Sequence, residues 1–134
     1  MTAIKKKWDY YGLAVYETAG GQEWAVGTEA QVARAARENI LDHLWAFRPE
    51  FIARYAGLDD RAVNALGEMM GKLSEDANPI VRKLIGSDRN LSKLVRDAIS
   101  VDGRGHYLAQ YDGHERDSDE VEGLPRGKIA FRLN

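Results

Sequence analysis

Strand-like sequence lies only near the two ends of this chain, and the residues between them have the periodicity of amphipathic helices. Trp8–Thr18 and Glu23–Gly27 are rich in Trp, Tyr and Val and flank Gly20-Gly21, which predicts a β-hairpin. Lys128–Leu133 alternates apolar with other residues, as a further strand does. Any sheet must therefore join the two ends. We predict an α+β fold in which a small antiparallel sheet, formed by the N-terminal hairpin and the C-terminal strand, packs against about four or five helices.

Start and stop signals divide the middle of the chain into separate helices. Thr28 and Gln31 have the spacing of a capping box, while Pro49, Gly57 and Gly86 are typical of helix ends. The predicted helices are Glu29–Trp45, Pro49–Tyr55, a helix capped by Asp59 or Asp60 that continues to about Asp76, a short helix from Asn78 to Ile85, and a helix capped by Asp88 whose apolar stripe runs from Leu91 to Ile99. Glu115–Arg126 is acidic and poor in apolar residues, which predicts a mobile loop.

Composition narrows the classes of function without selecting one. The 134 residues have the size of a single domain, 1–134, and contain no cysteine, which excludes disulfides, thiolate catalysis and cysteine-based zinc sites. A formal net charge of −2 gives the whole protein no electrostatic attraction to nucleic acid or anionic lipid. No apolar stretch approaches the roughly 20 residues of a membrane span, and no signal peptide is recognisable. We therefore expect a soluble, cytoplasmic protein that binds no membrane.

Ser100–Glu115 is the densest group of polar functional side chains. Its sequence, SVDGRGHYLAQYDGHE, brings together two Asp-Gly pairs, two of the three histidines, an arginine and two tyrosines. One interpretation is structural, because Asp-Gly pairs form turns in which the aspartate bonds nearby backbone amides, and Tyr107 and Leu108 could belong to the core. The other interpretation is a functional site, whose chemistry the residue types leave open.

As a binding surface, this segment would offer forked hydrogen-bond donors and amphipathic rings. Arginine and tyrosine are enriched where protein interfaces concentrate their binding free energy. The residues predicted to contact a partner are Arg104, His106, Tyr107, Gln110, Tyr111 and Asp112. On this hypothesis the protein is not an enzyme, and its oligomeric state is left open.

As a catalytic site, the same segment would use an imidazole oriented by a carboxylate. His106 would be the general base, with Asp102 or Asp112 as its orienting partner. No Ser or Cys nucleophile motif accompanies these residues. The spacing of His106, His114 and Asp112 matches no established ligand motif, so we predict neither a metal nor another cofactor.

A third hypothesis is nucleic-acid binding by the N-terminal segment. Lys5–Lys7 precede Trp8 and the pair Tyr10-Tyr11, so basic and aromatic residues are interleaved, as in proteins that hold phosphates and stack bases. Three lysines contribute little at physiological salt. The alternative is a solvated segment that leads into a strand.

The order of the motifs KWDYYGLAVY, LWAF, ISVDGRGHYLAQYDGHE and IAFRLN resembles that in a group of small uncharacterised proteins of tailed bacteriophages and prophages. The likeness is densest at Asp102–His106 and Tyr111–Gly113. It implies a phage accessory protein in the cytoplasm of a bacterial host, and it carries over no catalytic role. By analogy of context, such a protein would bind and modulate or inhibit a macromolecular complex of the host or phage, host defence systems included.

Overall fold

The computed structural model describes residues 2–134, and its sheet joins the two ends of the chain. The strands are β1 (Ile4–Tyr10), β2 (Leu13–Glu17), β3 (Glu23–Gly27), β4 (Glu115–Asp117) and β5 (Ile129–Arg132). All neighbours pair antiparallel, in the order β1-β2-β3-β5-β4. The α+β prediction is confirmed, and the sheet has two strands more than the sequence indicated.

Within the described residues, the α-helices lie between β3 and β4. They are α1 (Glu29–Asp42), α2 (Pro49–Ala56), α3 (Asp60–Leu73), α4 (Asn78–Ile85), α5 (Asp88–Asp102) and α6 (Arg104–Leu108). Two helices end earlier than predicted: α1 ends before Trp45, and α3 ends before Asp76. The chain tightens into 3-10 turns at Leu44–Ala46 and Ser74–Ala77, because the last carbonyls of a helix are readily satisfied by shorter-range hydrogen bonds.

The prediction of one continuous first strand over Trp8–Thr18 is wrong, because a tight turn divides it. Tyr11 and Gly12 have φ values of 51° and 81°. Two successive positive φ values are the feature of type I′ turns, whose twist matches that of the strands they connect. The turn makes β1 an edge strand, and its register with β2 shifts between Lys5 and Asp9.

Local capping explains where the helices begin. The Thr28 hydroxyl accepts from the Gln31 N–H at 3.3 Å, and the Gln31 side chain accepts from the Thr28 N–H at 2.9 Å, which confirms the capping box. Asp59 accepts from the N–H three residues later at 3.0 Å, so it is the cap of α3. The cap of α5 is Ser87, whose hydroxyl accepts at 3.1 Å. Asp88, the predicted cap, is instead the first helical residue.

The chain divides into two compact units, and the first comprises the residues up to Asn39 together with Val101–Asn134. One face of its sheet is buried, because the register aligns Val15 with Ala25 and Ala25 with Phe131. All three side chains are fully buried. Fully buried apolar residues of α1 in the same unit are Val32, Ala35 and Ala36.

The opposite face of this sheet carries a second apolar cluster. Trp24 and Val26 of β3 pack with Ala130 of β5 and with Leu124, and Val121 lies against the cluster. The residues after β4 therefore cover the sheet, which removes apolar surface from water on this side too.

This cover corrects the prediction of a mobile loop over Glu115–Arg126. The segment contains β4, and a 3-10 turn at Ser118–Glu120 follows. Ser118 is fully buried, and its hydroxyl accepts from the Lys128 N–H at 3.0 Å. Charged residues outnumber apolar ones here, but Val121 and Leu124 pack with the apolar residues of the sheet.

The second compact unit, Ile40–Ser100, is helical. The Asn78 side chain joins two of its parts, since it accepts from the Trp45 N–H at 3.1 Å and donates to the Leu41 carbonyl at 2.7 Å. The Tyr55 hydroxyl donates to Asp97 at 2.5 Å. Burial, together with this hydrogen bond, raises the pKa of Tyr55 to about 12.

Candidate functional site

The segment with the highest density of functional groups forms a compact corner of the first unit. α5 ends at Asp102, Gly103 follows with φ 82°, and α6 occupies Arg104–Leu108. A turn with Gly113 at φ 72° then leads into β4. The Asp112 carboxylate accepts from the His114 N–H at 3.0 Å. The second Asp-Gly pair is thus the Asx-type turn that the structural interpretation predicts.

Gly105 brings α6 into direct contact with the backbone that precedes β4. A Cβ atom at this position would lie 2.4 Å from the Gly113 carbonyl oxygen, 2.8 Å from the Glu115 nitrogen and 2.9 Å from the His114 carbonyl carbon. No side chain has that space. Gly105 is required here by close backbone approach and not by a left-handed conformation.

Arg104 holds two distant parts of the chain together. Its guanidinium donates to both oxygens of Glu115 at 2.9 Å and to both oxygens of Glu29 at 2.5 and 3.2 Å. The Glu115 hydrogen bonds are the main reason why the pKa of Arg104 is raised, and the Arg104 hydrogen bond lowers the pKa of Glu29. Only 17% of the Arg104 side chain is exposed. We therefore assign Arg104 to the structure of the corner, although its residue type suggested a partner contact.

Two further polar residues of the segment are also satisfied internally. Asp112 forms an ion pair with Arg116 at 2.8 Å, and this hydrogen bond is the main cause that lowers the pKa of Asp112. The Tyr107 hydroxyl donates to Asp102 at 3.0 Å. Burial, followed by this hydrogen bond, raises the pKa of Tyr107. Both carboxylates thus have defined structural partners.

The carboxylates proposed to orient a catalytic imidazole are bound elsewhere. Asp102 accepts from Tyr107 and Asp112 from Arg116, while His106 is exposed and lies edge-on to the Tyr107 ring, 4.9 Å between centroids. The structure brings His106 close to an aromatic ring and not into a hydrogen-bonded pair with either aspartate. A general base without a positioned orienting group lacks the arrangement that tunes such catalysis.

The outward-facing part of the corner is aromatic. Tyr111 exposes 59% of its surface, and the Arg132 guanidinium carbon lies 3.7 Å from the centroid of its ring. Burial raises the pKa of Tyr10, and the nearby Gln110 side chain acts against this rise. The Tyr10 ring meets that of Tyr11 edge to face at 5.1 Å. We call Tyr10, Tyr11, Gln110, Tyr111 and Arg132 the Tyr111 surface.

Three members of the Tyr111 surface were not predicted as part of this site. Tyr10 and Tyr11 come from the β1–β2 turn, where the sequence suggested nucleic-acid binding, and Arg132 comes from β5. The Tyr111 N–H donates to the Arg132 carbonyl at 3.1 Å. This backbone pairing brings residues distant in sequence together, and no local motif signals it.

The basic residues of the third hypothesis lie on the edge strand β1. Lys6 pairs with Glu17 at 3.7 Å, while Lys5 and Lys7 are exposed. Trp8 exposes 44% of its surface. Lysines and an irregular register are also common protections of sheet edges against unwanted pairing. The interleaved pattern therefore has a structural explanation as well as a functional one.

Comparison with known proteins gives no match: no family model, no curated protein and no solved structure is similar to this chain. Within residues 2–134, no group of three or more His, Asp or Glu side chains is placed to hold a metal ion. None of the helices in that range combines the length and apolar character that crossing a membrane requires.

Proposed function

We propose that this protein is a non-enzymatic binding protein that contacts another protein through the Tyr111 surface. The observation that carries the proposal is the exposed Tyr111 ring stacked on Arg132, beside Gln110 and the Tyr10-Tyr11 pair. Tyrosine and arginine are among the residues that most often dominate the binding free energy of interfaces.

Preorganisation supports this role. A large exposed side chain loses conformational entropy when a partner immobilises it, by about 0.5–1.5 kcal/mol for each such side chain. Tyr111 is already restrained by its contact with Arg132. The surface therefore loses less entropy on binding than freely rotating side chains would.

The internal pairing of the neighbouring charges favours binding over catalysis. Arg104 and Asp112 are held in ion pairs, and Asp102 accepts from Tyr107. These contacts keep the corner rigid, but they occupy the groups that acid–base chemistry at His106 would need. Of the six residues predicted to contact a partner, Gln110 and Tyr111 therefore remain in the proposed surface. His106 and Tyr107 lie at its edge, and Arg104 and Asp112 are no longer included.

The resemblance of the DGRGH and YDG motifs to those of tailed-phage proteins supports a partner of a particular kind. We expect a macromolecular complex of a bacterial host, defence complexes included, whose activity the protein would modulate or inhibit. Tyr111 and its neighbours would provide the contact, and the ion-paired corner would provide the rigid support.

The proposal is tested by affinity capture from bacterial lysate with the tagged protein. The Tyr111→Ala variant should retain the partner at least about tenfold less well than the wild type, since an anchor residue of an interface contributes more than about 1.4 kcal/mol. Trp8→Ala is the matched control, because Trp8 is another exposed aromatic residue of the same unit that lies outside the Tyr111 surface. Equal capture by the wild type and Tyr111→Ala would refute the assignment.

Nucleic-acid binding by β1 is the second candidate, supported by the exposure of Lys5, Lys7 and Trp8. It predicts the reverse pattern, in which Trp8→Ala weakens retention and Tyr111→Ala does not. Retained material would be sensitive to nuclease, and binding to single-stranded DNA would weaken steeply with added salt. Salt-insensitive binding would exclude this candidate.

A further inference from the structure

Two side-chain donors in the first unit are buried without a hydrogen-bond acceptor. They are the indole Nε1 of Trp24 and the Nε of Arg132. Trp24 is 5% exposed. Buried polar groups in folded proteins nearly always have a hydrogen-bond partner, and leaving one unsatisfied is unfavourable. Two such donors in one place therefore point to an acceptor from outside the chain.

The two donors project from the same face of the sheet. Trp24 on β3 and Arg132 on β5 are directly opposed partners in the antiparallel register. The Cβ atoms of such partners are about 4.5–5.5 Å apart, and their side chains extend to the same side. A single group with two acceptor oxygens can serve both donors.

The rest of the Arg132 guanidinium is already engaged. One Nη donates to the Asn134 carbonyl at 3.2 Å, and the plane stacks on the Tyr111 ring. Among residues 2–134, no Asp or Glu side chain forms an ion pair with Arg132. A half-buried cation that pairs with no acidic side chain favours an anion over a neutral acceptor, because an anion satisfies the donors and also compensates the charge.

We propose that Trp24 and Arg132 form a carboxylate site that receives an acidic side chain of the protein partner. Both N–H groups are donors only, and a carboxylate is acceptor only, so the chemistry is complementary. The inference rests on the proposed function, because Arg132 and Tyr111 belong to the same surface. The N–H donors of the guanidinium lie in its plane, so a carboxylate can bind them while Tyr111 stays on its face.

The test observes the two donors directly by nuclear magnetic resonance of the ¹⁵N-labelled protein. The three tryptophans give three indole N–H signals, and Trp24→Phe identifies the one that belongs to Trp24. The probe is a blocked Gly-Glu-Gly peptide, with blocked Gly-Gln-Gly as the neutral control of equal shape. Acetate against chloride at constant ionic strength measures the response to a small free carboxylate.

We expect the Trp24 indole and Arg132 Nε–H signals to shift saturably with Gly-Glu-Gly and not with Gly-Gln-Gly. Arg132→Lys keeps the charge but lacks the Nε–H, so it should weaken binding of the peptide about tenfold or more. Equal shifts with both peptides, or no shift, would overturn the inference. Shifts with acetate but none with Gly-Glu-Gly would overturn it too. A signal with a persistent contact to water and no carboxylate response would identify a bound water instead, and would also overturn it.

The outcome is separable from that of the proposed function. If Trp24→Phe captures the partner as well as the wild type does, while Tyr111→Ala does not, the carboxylate site is refuted and the binding function stands. If the donors respond to Gly-Glu-Gly but Tyr111→Ala captures every protein that the wild type captures, the site stands and the function of the Tyr111 surface is refuted.

Discussion

Replacing Gly105 by alanine adds one carbon atom that has two opposite effects on stability. It favours the helix through alanine's higher helix propensity, and it opposes the close packing of α6 on the neighbouring backbone. Gly105 lies within α6, where alanine is intrinsically preferred to glycine by about 1 kcal/mol. The added Cβ would, however, lie 2.4 Å from the Gly113 carbonyl oxygen. Carbon–oxygen contacts normally begin at about 3.3 Å, so the two backbone segments must separate by nearly 1 Å.

The packing effect should exceed the propensity effect. Insertion of a methyl group into a fully packed site costs about 1–3 kcal/mol, and here all three of the closest atoms belong to backbone that cannot rotate away. After the gain in propensity, we expect a net loss of up to about 2 kcal/mol in the free energy of unfolding. Separation of α6 from Glu115 would also lengthen the hydrogen bonds of Arg104, which adds to the loss.

Gly71→Ala is the matched control, because Gly71 also lies in a helix but has no atom within 4 Å of the added Cβ. That substitution should stabilise the protein by about 0.5–1 kcal/mol. Urea unfolding followed by circular dichroism should therefore separate the two variants by about 0.5–3 kcal/mol, with Tm differing by about 3–5 °C per kcal/mol. A Gly105→Ala variant as stable as Gly71→Ala would refute the close-approach argument.

Three further predictions concern the ion pairs and hydrogen bonds. Arg104→Ala leaves two glutamates without their shared donor and should lower the unfolding free energy by about 1–2 kcal/mol. Arg104→Lys lacks the planar fork and should recover only part of that loss. If Arg104→Ala is as stable as the wild type, the structural role of Arg104 is refuted. Because folding lowers the pKa of Asp112, its stabilisation is present at neutral pH, declines below the ordinary carboxyl pKa of about 4 and is lost below the lowered value. Urea unfolding of Asp112→Asn at neutral pH and at about pH 3 should show a smaller acid loss than the wild type, and an equal loss would exclude this source. Tyr55→Phe removes the hydrogen bond to Asp97 and should cost about 1–2 kcal/mol, measured by the same unfolding assay, whereas Asp97→Asn, which keeps an acceptor, should cost less.

Much of the helical architecture could be predicted because its signals are local. The Thr28–Gln31 capping box, the Asp59 cap and the start of α2 at Pro49 all involve residues within one turn of each other. Helix ends were less predictable. The 3-10 turn that follows α1 depends on how Asn78 binds the Trp45 N–H, and these residues are far apart in sequence.

The sequence indicated where a candidate site lies, but it did not indicate the roles of the residues. The density of polar groups in Ser100–Glu115 coincides with a corner where the backbone approaches itself closely. Arg104 and Asp112 were predicted to contact a partner, yet their charges are satisfied within the chain. The sequence gives the same residue type for an exposed arginine and for an ion-paired one. Only the distance from its guanidinium to a carboxylate distinguishes the two.

By itself, the sequence determined the α+β class, the limits set by composition and most helix starts, because short-range spacing and side-chain type control these features. The tertiary structure alone decided that Glu29 reaches Arg104 across 75 residues, that β4 pairs with β5, and that Trp24 opposes Arg132. Such contacts form when long loops close, and the stability of the whole sheet and core selects them. No local pattern encodes that selection, because burial and partner distance are properties of the assembled chain.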